Sequence, residues 1–365
     1  MISFLFFLGF LVFYGLIAIY AERKISAFIQ DRYGPMEVGY KGLLQTFADI
    51  LKLLQKEHIF TFAADKPLFA IAPTIIFVAM FAAFAVIPLS VNITGSTVAT
   101  GVYYAIAIVS LDILGILMAG WGSNNKYAII GAYRSVAQIV SYEIPLGLAV
   151  LGVIMMSGTL DLQEISMQQS IFYESATKNT ESYLFGLKFL GINVGKYGGI
   201  LSWNIFRMPP LIIGFVIFFI TSLAESNRAP FDLPEAESEL IAGFHTEYSG
   251  FRFAIIMLAE YGVMLLTSFL AVVLFLGSWS TPLPNIGALK LAEWTSGTPG
   301  SISADLWGIF WLCLKAMTLV LCQIWIRWTF PRLRVDQLMN LGWKYLTPAA
   351  LIIIFIVGLW KLALL

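Results

Sequence analysis

Charge is scarce in this sequence. Only 12% of its 365 residues are charged, against roughly 25% in ordinary globular domains, and a water-facing surface cannot be covered with so few. The charge present is balanced, 22 Lys and Arg against 22 Asp and Glu, which excludes a nucleic-acid binder acting through bulk basicity. Cysteine is nearly absent. Cys313 and Cys322 cannot supply a disulfide framework, a four-cysteine zinc site or a four-thiolate iron–sulfur cluster. Two histidines, His58 and His245, exclude a His-rich metal site. No internal repeat is visible, which argues against an inverted-repeat transporter, and the apolar runs lack the alternation of a β-barrel. Any redox chemistry served by this chain must be carried mostly by something else.

Apolar side chains are abundant. Hydrophobic residues make up 59% and mean hydropathy is +0.83. Eight apolar runs, near 3–21, 68–91, 102–121, 135–157, 209–224, 253–277, 306–326 and 346–360, suit helices crossing a hydrocarbon layer of roughly 30 Å. The fifth and eighth are short. The expected fold is an all-α integral membrane protein, one membrane domain of eight transmembrane helices with cytoplasmic amphipathic helices. The first run lacks a basic leader and a small-residue cleavage site, so it reads as an uncleaved span. Segments 22–67, 122–134, 225–252 and 327–345 carry fifteen of the Lys and Arg residues and the opposite face six, with Lys315 inside a span. The positive-inside rule then places both termini on the periplasmic face. Segment 158–208, long and polar, becomes a periplasmic insertion without a motif.

Between the first two runs, Leu43, Leu44, Phe47, Ile50, Leu51 and Leu54 recur at helical spacing, with Gln45, Asp49, Lys52 and Lys56 on the other face. An interfacial amphipathic helix over 42–57 follows. It is either a surface anchor or the roof of a cavity toward which Asp49 and Lys52 point. The Gly34-Pro35 pair and Gly39 suit a tight return into it.

The segment 225–252 is acidic where basic residues are expected. It sets Glu225, Asp232, Glu235, Glu237, Glu239 and Glu247 against Arg228 and Arg252. Asp232, Pro234 and Glu235 together suit a helix N-terminus, while Glu235 and Glu239 would share a face. The segment is either a solvated acidic loop or a cluster whose carboxylates raise one another's pKa and hold exchangeable protons. Its loose spacing specifies no metal. Four ionisable residues lie inside apolar runs, namely Asp112, Glu143, Glu260 and Lys315. Such residues are functional hypotheses by default. Counted from the cytoplasmic ends of their runs, the three acids share a depth of roughly 12–14 Å. That suits a lateral file of protonatable groups, or else interhelical hydrogen bonding. Pro145, beside Glu143, can free a carbonyl for water.

The stretches ERKISAFIQDRYGP, QTFADILKLLQKE, GWGSNNKYAIIGAYRSVAQIVSYE, AESNRAPFDLPEAESELIAGFHTEYSG and PRLRVDQLMNLGWK resemble the H-type membrane subunit of bacterial respiratory complex I, called subunit 1 in mitochondria, in order along nearly the whole chain. The resemblance implies a membrane subunit of an NADH:quinone oxidoreductase, without activity as an isolated chain. The family lines a chamber for a quinone such as ubiquinone, which is substrate. It also begins an acidic path that couples quinone reduction to proton translocation. FMN and iron–sulfur clusters are expected only in partner subunits. Glu22, Arg23, Arg32, Asp49, Lys52, Arg228, Asp232, Arg332 and Arg334 match the chamber positions, and Asp336 the turn before the last span. Glu143, Glu225, Glu235, Glu237, Glu239, Glu247 and Glu260 match the proton path. Asp112, where the family usually has a small residue, joins the path by its depth within an apolar run and not by the resemblance. The implied partners are quinone-reducing subunits on the cytoplasmic face, small and antiporter-like membrane subunits, and the lipid bilayer. The implied location is a bacterial plasma membrane, or alternatively the mitochondrial inner membrane. Two rival readings are the anchor of a hydrogenase-type complex, distinguished by its electron acceptor, and a free-standing proton-coupled carrier, which would work alone in liposomes.

Overall fold

The computed structural model describes residues 2–171, 184–186, 197–233, 237–285, 289–298 and 300–364. No strand forms among them, and one isolated bridge joins Pro88 to Thr94. Helices satisfy their own backbone, which is what lipid demands of a chain that crosses it.

The first helix, α1, runs Ile2–Ile29, and the short α2 covers Gln45–Gln55. Then come α3 (Lys66–Ala83), α4 (Gly101–Val109) continued by α5 (Leu111–Gly122), and α6 (Lys126–Ser157). Short α7 (Leu162–Gln168) and α8 (Asn204–Arg207) precede α9 (Pro210–Glu225) and the single turn α10 (Glu237–Leu240). The chain closes with α11 (Gly250–Phe275), α12 (Leu291–Ser296), α13 (Ile302–Thr329), α14 (Val335–Asn340) and α15 (Thr347–Leu364), the last two joined by a π-helical turn at Leu341–Leu346. Seven helical stretches among the described residues are long and apolar enough to cross a membrane. The protein is a multi-pass membrane protein. The fifth apolar run becomes α9, only 16 residues long, or about 24 Å at the helical rise.

The helices overrun the apolar runs that announce them. The run 135–157 belongs to a helix that begins at Lys126, where Asn125 caps the Tyr127 amide at 3.0 Å, and Gly158 ends it in the left-handed conformation. Hydropathy registers the apolar slab, whereas the cap fixes where the helix starts. Gly34, Pro35 and Gly39 do precede α2. Gly42, at φ 77°, packs so tightly on Pro35 that a side chain there would strike its carbonyl.

Helix α11 is the axis of the bundle. Every residue from Ala259 to Phe275 is buried, as expected of a helix apolar all round and enclosed by others. Helices α1, α3, α9 and α13 pack around it. Small residues permit close approach elsewhere. A Cβ on Gly115 would lie 2.5 Å from Ile76, and one on Gly131 would lie 2.7 Å from the backbone of Gly243. At its far end α11 exposes C-terminal carbonyls that need partners. Gln169 donates to Val273 at 2.9 Å, Asn204 to Leu274 at 2.7 Å, and Lys315 to Leu276 at 2.8 Å. The described parts of 158–208 therefore clasp the end of the central helix.

Candidate acid network

Gly250 opens α11 so that Glu260 and Tyr261 stand ten and eleven residues along it. The Glu260 carboxylate meets His245 Nε2 at 3.0 Å and lies 4.0 Å from Arg228. The Arg228 guanidinium covers the ring of Tyr261 at 4.1 Å, and the Tyr261 hydroxyl donates to Glu22 at 2.5 Å. Glu22, near the end of α1, is also paired with Arg327 of α13. Six groups thus come together, five of them buried and Arg327 partly exposed. Burying such groups is costly unless each finds a partner, and here each does.

On the other side of Glu260 lie further carboxyl groups within electrostatic reach. Asp112 of α5 interacts electrostatically with Glu260, and Glu225, the last residue of α9, interacts with Asp112 and Glu143. Asp112 is buried, with one oxygen lacking a hydrogen-bond partner among the described residues. Glu143 and Glu225 line one small cavity with Phe218, Leu266 and Thr267, with room for roughly one water. Glu143 stands seventeen residues into α6 and Asp112 ten from the end of α5, yet Glu143 lies beside Ser110. The counts from the helix ends are therefore unequal for side chains that lie close together.

The remaining expected residues sit at the rim. Arg23 donates to Asp49 at 2.5 Å, Gln45 to Asp49 at 3.3 Å, and Lys52 lies 3.6 Å from Asp49. Partial burial pushes the Asp49 carboxyl up, but the hydrogen bond and charge of Arg23, with Gln45 and Lys52, outweigh it and hold it below the usual carboxylate range. The apolar face of α2, with Leu43, Leu44, Phe47, Leu51 and Leu54, is exposed on this chain. Arg32 is exposed and bonds Gln30 at 2.6 Å. Glu247 accepts from Thr61 at 2.9 Å and from Asn125 at 2.7 Å, so it fastens three rim segments together. The Arg134 hydrogen bond and charge lower the Glu239 pKa across a 2.5 Å pair.

Asp232 is held by Arg332 at 3.0 Å, a guanidinium satisfying its carboxylate. The expected helix N-terminus with Pro234 and Glu235 lies outside the described residues, which resume with a helical turn at Glu237–Leu240. Glu235 lies outside the described residues, as do the surroundings of the Glu237 side chain. Arg334 and Asp336 are exposed at the turn before the last helix. Lys315 stands apart from the acids, at the opposite end of α11. Three members of the interior network are not singled out by sequence reasoning: His245, Tyr261 and Arg327. His245 had a signal available, as one of two histidines in the chain and a member of the acidic segment.

Comparison with known proteins matches residues 2–358 to the family model described as NADH dehydrogenase. A relative from Cytophaga hutchinsonii, named as an H-type subunit of NADH-quinone oxidoreductase, is 57% identical over 98% of this chain and 97% of its own. One from Chlorobaculum parvum, named as the same type of subunit, is 52% identical over 94% of this chain and 86% of its own. A third so named, from a Geobacillus species, is 44% identical over 95% of this chain and 88% of its own. Matched from end to end and at these identities, the chain belongs to the NADH dehydrogenase family.

Proposed function

We propose that this chain is the membrane subunit of NADH-quinone oxidoreductase that encloses part of the quinone chamber and carries the first segment of its proton path. The observation that carries the reading is the row of contacts from Glu22 through Tyr261 and Arg228 to Glu260, with Asp112, Glu225 and Glu143 within electrostatic reach of it and of one another. One end begins beside Arg23, Asp49 and the amphipathic α2. The other ends deep among α5, α6 and α9.

In this mechanism α1, α2 and α11 wall a chamber that a quinone enters sideways from the bilayer. Electrons reach it from a partner subunit, and its reduction draws protons and changes the charge near Glu22 and Arg228. A charge altered at one member of a mutually interacting set in the interior changes the cost of charge at the next. Proton occupancy therefore shifts along Glu260, Asp112, Glu225 and Glu143 toward the neighbouring membrane subunits. The rim residues Asp232, Glu239 and Arg332 face the quinone-reducing subunits. Lipid positions follow from the charge asymmetry, with α9 as an eighth crossing, both termini periplasmic, and the bacterial plasma membrane as the site.

The test is Glu143→Gln and Glu225→Gln, separately, in the assembled complex. Each variant is expected to assemble while losing most quinone-linked proton translocation. Full pumping by both, with normal assembly, sinks the acid path.

A further inference from the structure

Helix α13 carries Asp305, Gly308 and Lys315 at i, i+3 and i+10, which places them along one stripe. Asp305, half-buried near the start of the helix, accepts from Ser90 at 2.6 Å and from Asn92 at 3.2 Å. Lys315, about 15 Å further along at the helical rise, is buried. Its ammonium donates to the carbonyls of Leu276 at 2.8 Å and Ser280 at 3.0 Å, and lies 5.2 Å from the ring centre of Trp203. A small cavity lies against α13 at Ala304 and Gly308. Ser170, Trp279, Ser280 and Ser296 contribute to its wall with Gly308, where a Cβ would press on Ser90 and Trp279 at 3.3 Å.

Two of those wall residues have unmet needs. Ser170 is 5% exposed and Trp279 4% exposed, and neither the Ser170 hydroxyl nor the Trp279 indole N–H has a hydrogen-bond partner among the described residues. A buried donor left unmade costs about 1–3 kcal/mol. The cavity has room for roughly one water. Ser280 joins cavity to lysine, because its side chain lines the one and its carbonyl accepts from the other.

We propose that this cavity is a hydration port. It holds a resident water bonded to Trp279 and Ser170, and it gives Lys315 contact with solvent at the face of the membrane where α11 ends. Asp305, next in the chain to the wall residue Ala304, favours cations over anions. A proton leaving the ammonium would pass to the resident water, and the hydronium formed would pass to Asp305 or to bulk, leaving a neutral amine. The port lies at the end of α11 away from Glu260, and it does not depend on the proton path proposed above.

Two measurements on the intact complex test it. Density at a resolution that shows ordered water is expected to contain a water within hydrogen-bonding distance of Ser170 Oγ and Trp279 Nε1. An empty cavity overturns the proposal. Second, Cys313 and Cys322 are replaced by Ser, and Ser280→Cys and Lys315→Cys are made separately in that background. Sealed vesicles exposing this face are treated with silver ion, and protection of the new thiol from later alkylation is read by mass spectrometry. Both thiols are expected to react, and adding Gly308→Val to fill the cavity is expected to slow each at least about tenfold. Reaction only from the opposite face, or rates indifferent to Gly308→Val, overturns the port. The Ser280→Cys variant keeps Lys315 and its bonds, so a misfolded Lys315→Cys does not decide the outcome.

Discussion

Asp49 belongs to the rim and Glu22 to the interior, and their partners make them respond differently to change. The Arg23 bond holds the Asp49 carboxyl below its ordinary range, so its folded pKa lies under its unfolded value of about 3.9. The pair's stabilisation is therefore full above the unfolded value and is lost as pH falls through the folded one. With Arg23 43% exposed, solvent screening limits the pair to under about 1 kcal/mol. Asp49→Asn is expected to lower the unfolding midpoint of the complex slightly at neutral pH, and the difference should vanish in strong acid. Tyr261→Phe is a larger change, because it removes a donor from a buried carboxylate. A loss of about 1–3 kcal/mol is expected, with slower quinone reduction, read by thermal unfolding and turnover of the same preparation. Asp112, Glu143 and Glu260 were legible as charges inside apolar runs, whereas Glu22 and Glu225 fall just beyond the ends of theirs. Their partners were not, since Tyr261 and Glu22 lie 239 residues apart and no local pattern encodes such a meeting.

At the scale of elements, the apolar runs foretold where helices cross but not where they begin. Lys126–Ser157 starts nine residues before its apolar run because Asn125 caps it. Helix α2 was legible from its two faces, while no local pattern shows that Arg332, a hundred residues away, takes Asp232. Glycine contacts between elements carry the next prediction. Gly131 of α6 lies against the backbone of Gly243, two residues before His245. Gly131→Ala must push that segment outward, costing about 1–3 kcal/mol as other overpacked sites do. The displacement carries His245 away from Glu260, so the variant is expected to assemble poorly or turn over slowly. Unchanged activity and an unchanged midpoint would mean that the segment yields without disturbing the histidine.

At the scale of the molecule, the open quantity is the number of crossings, and it turns on α9. Sixteen residues reach about 24 Å, a little short of a hydrocarbon layer of roughly 30 Å. An α9 that crosses puts both termini on one face, whereas seven crossings put them on opposite faces. Epitope tags at the two ends of the chain, probed in sealed vesicles of known sidedness, are expected to become accessible together. Tags reached from opposite sides would remove α9 from the count of spans.

The pairing of Glu22 with Arg327 also bears on how the protein is made. These residues are 305 positions apart, and the chain emerges from the ribosome N-terminus first. For most of synthesis the first helix carries a carboxylate whose guanidinium has not yet been translated. Glu22 sits near the end of α1, where it can remain at the water boundary and need not be dragged into lipid. The helix therefore has a provisional seat when it leaves the insertion machinery, and takes its final one only when α13 arrives to close the bundle around α11.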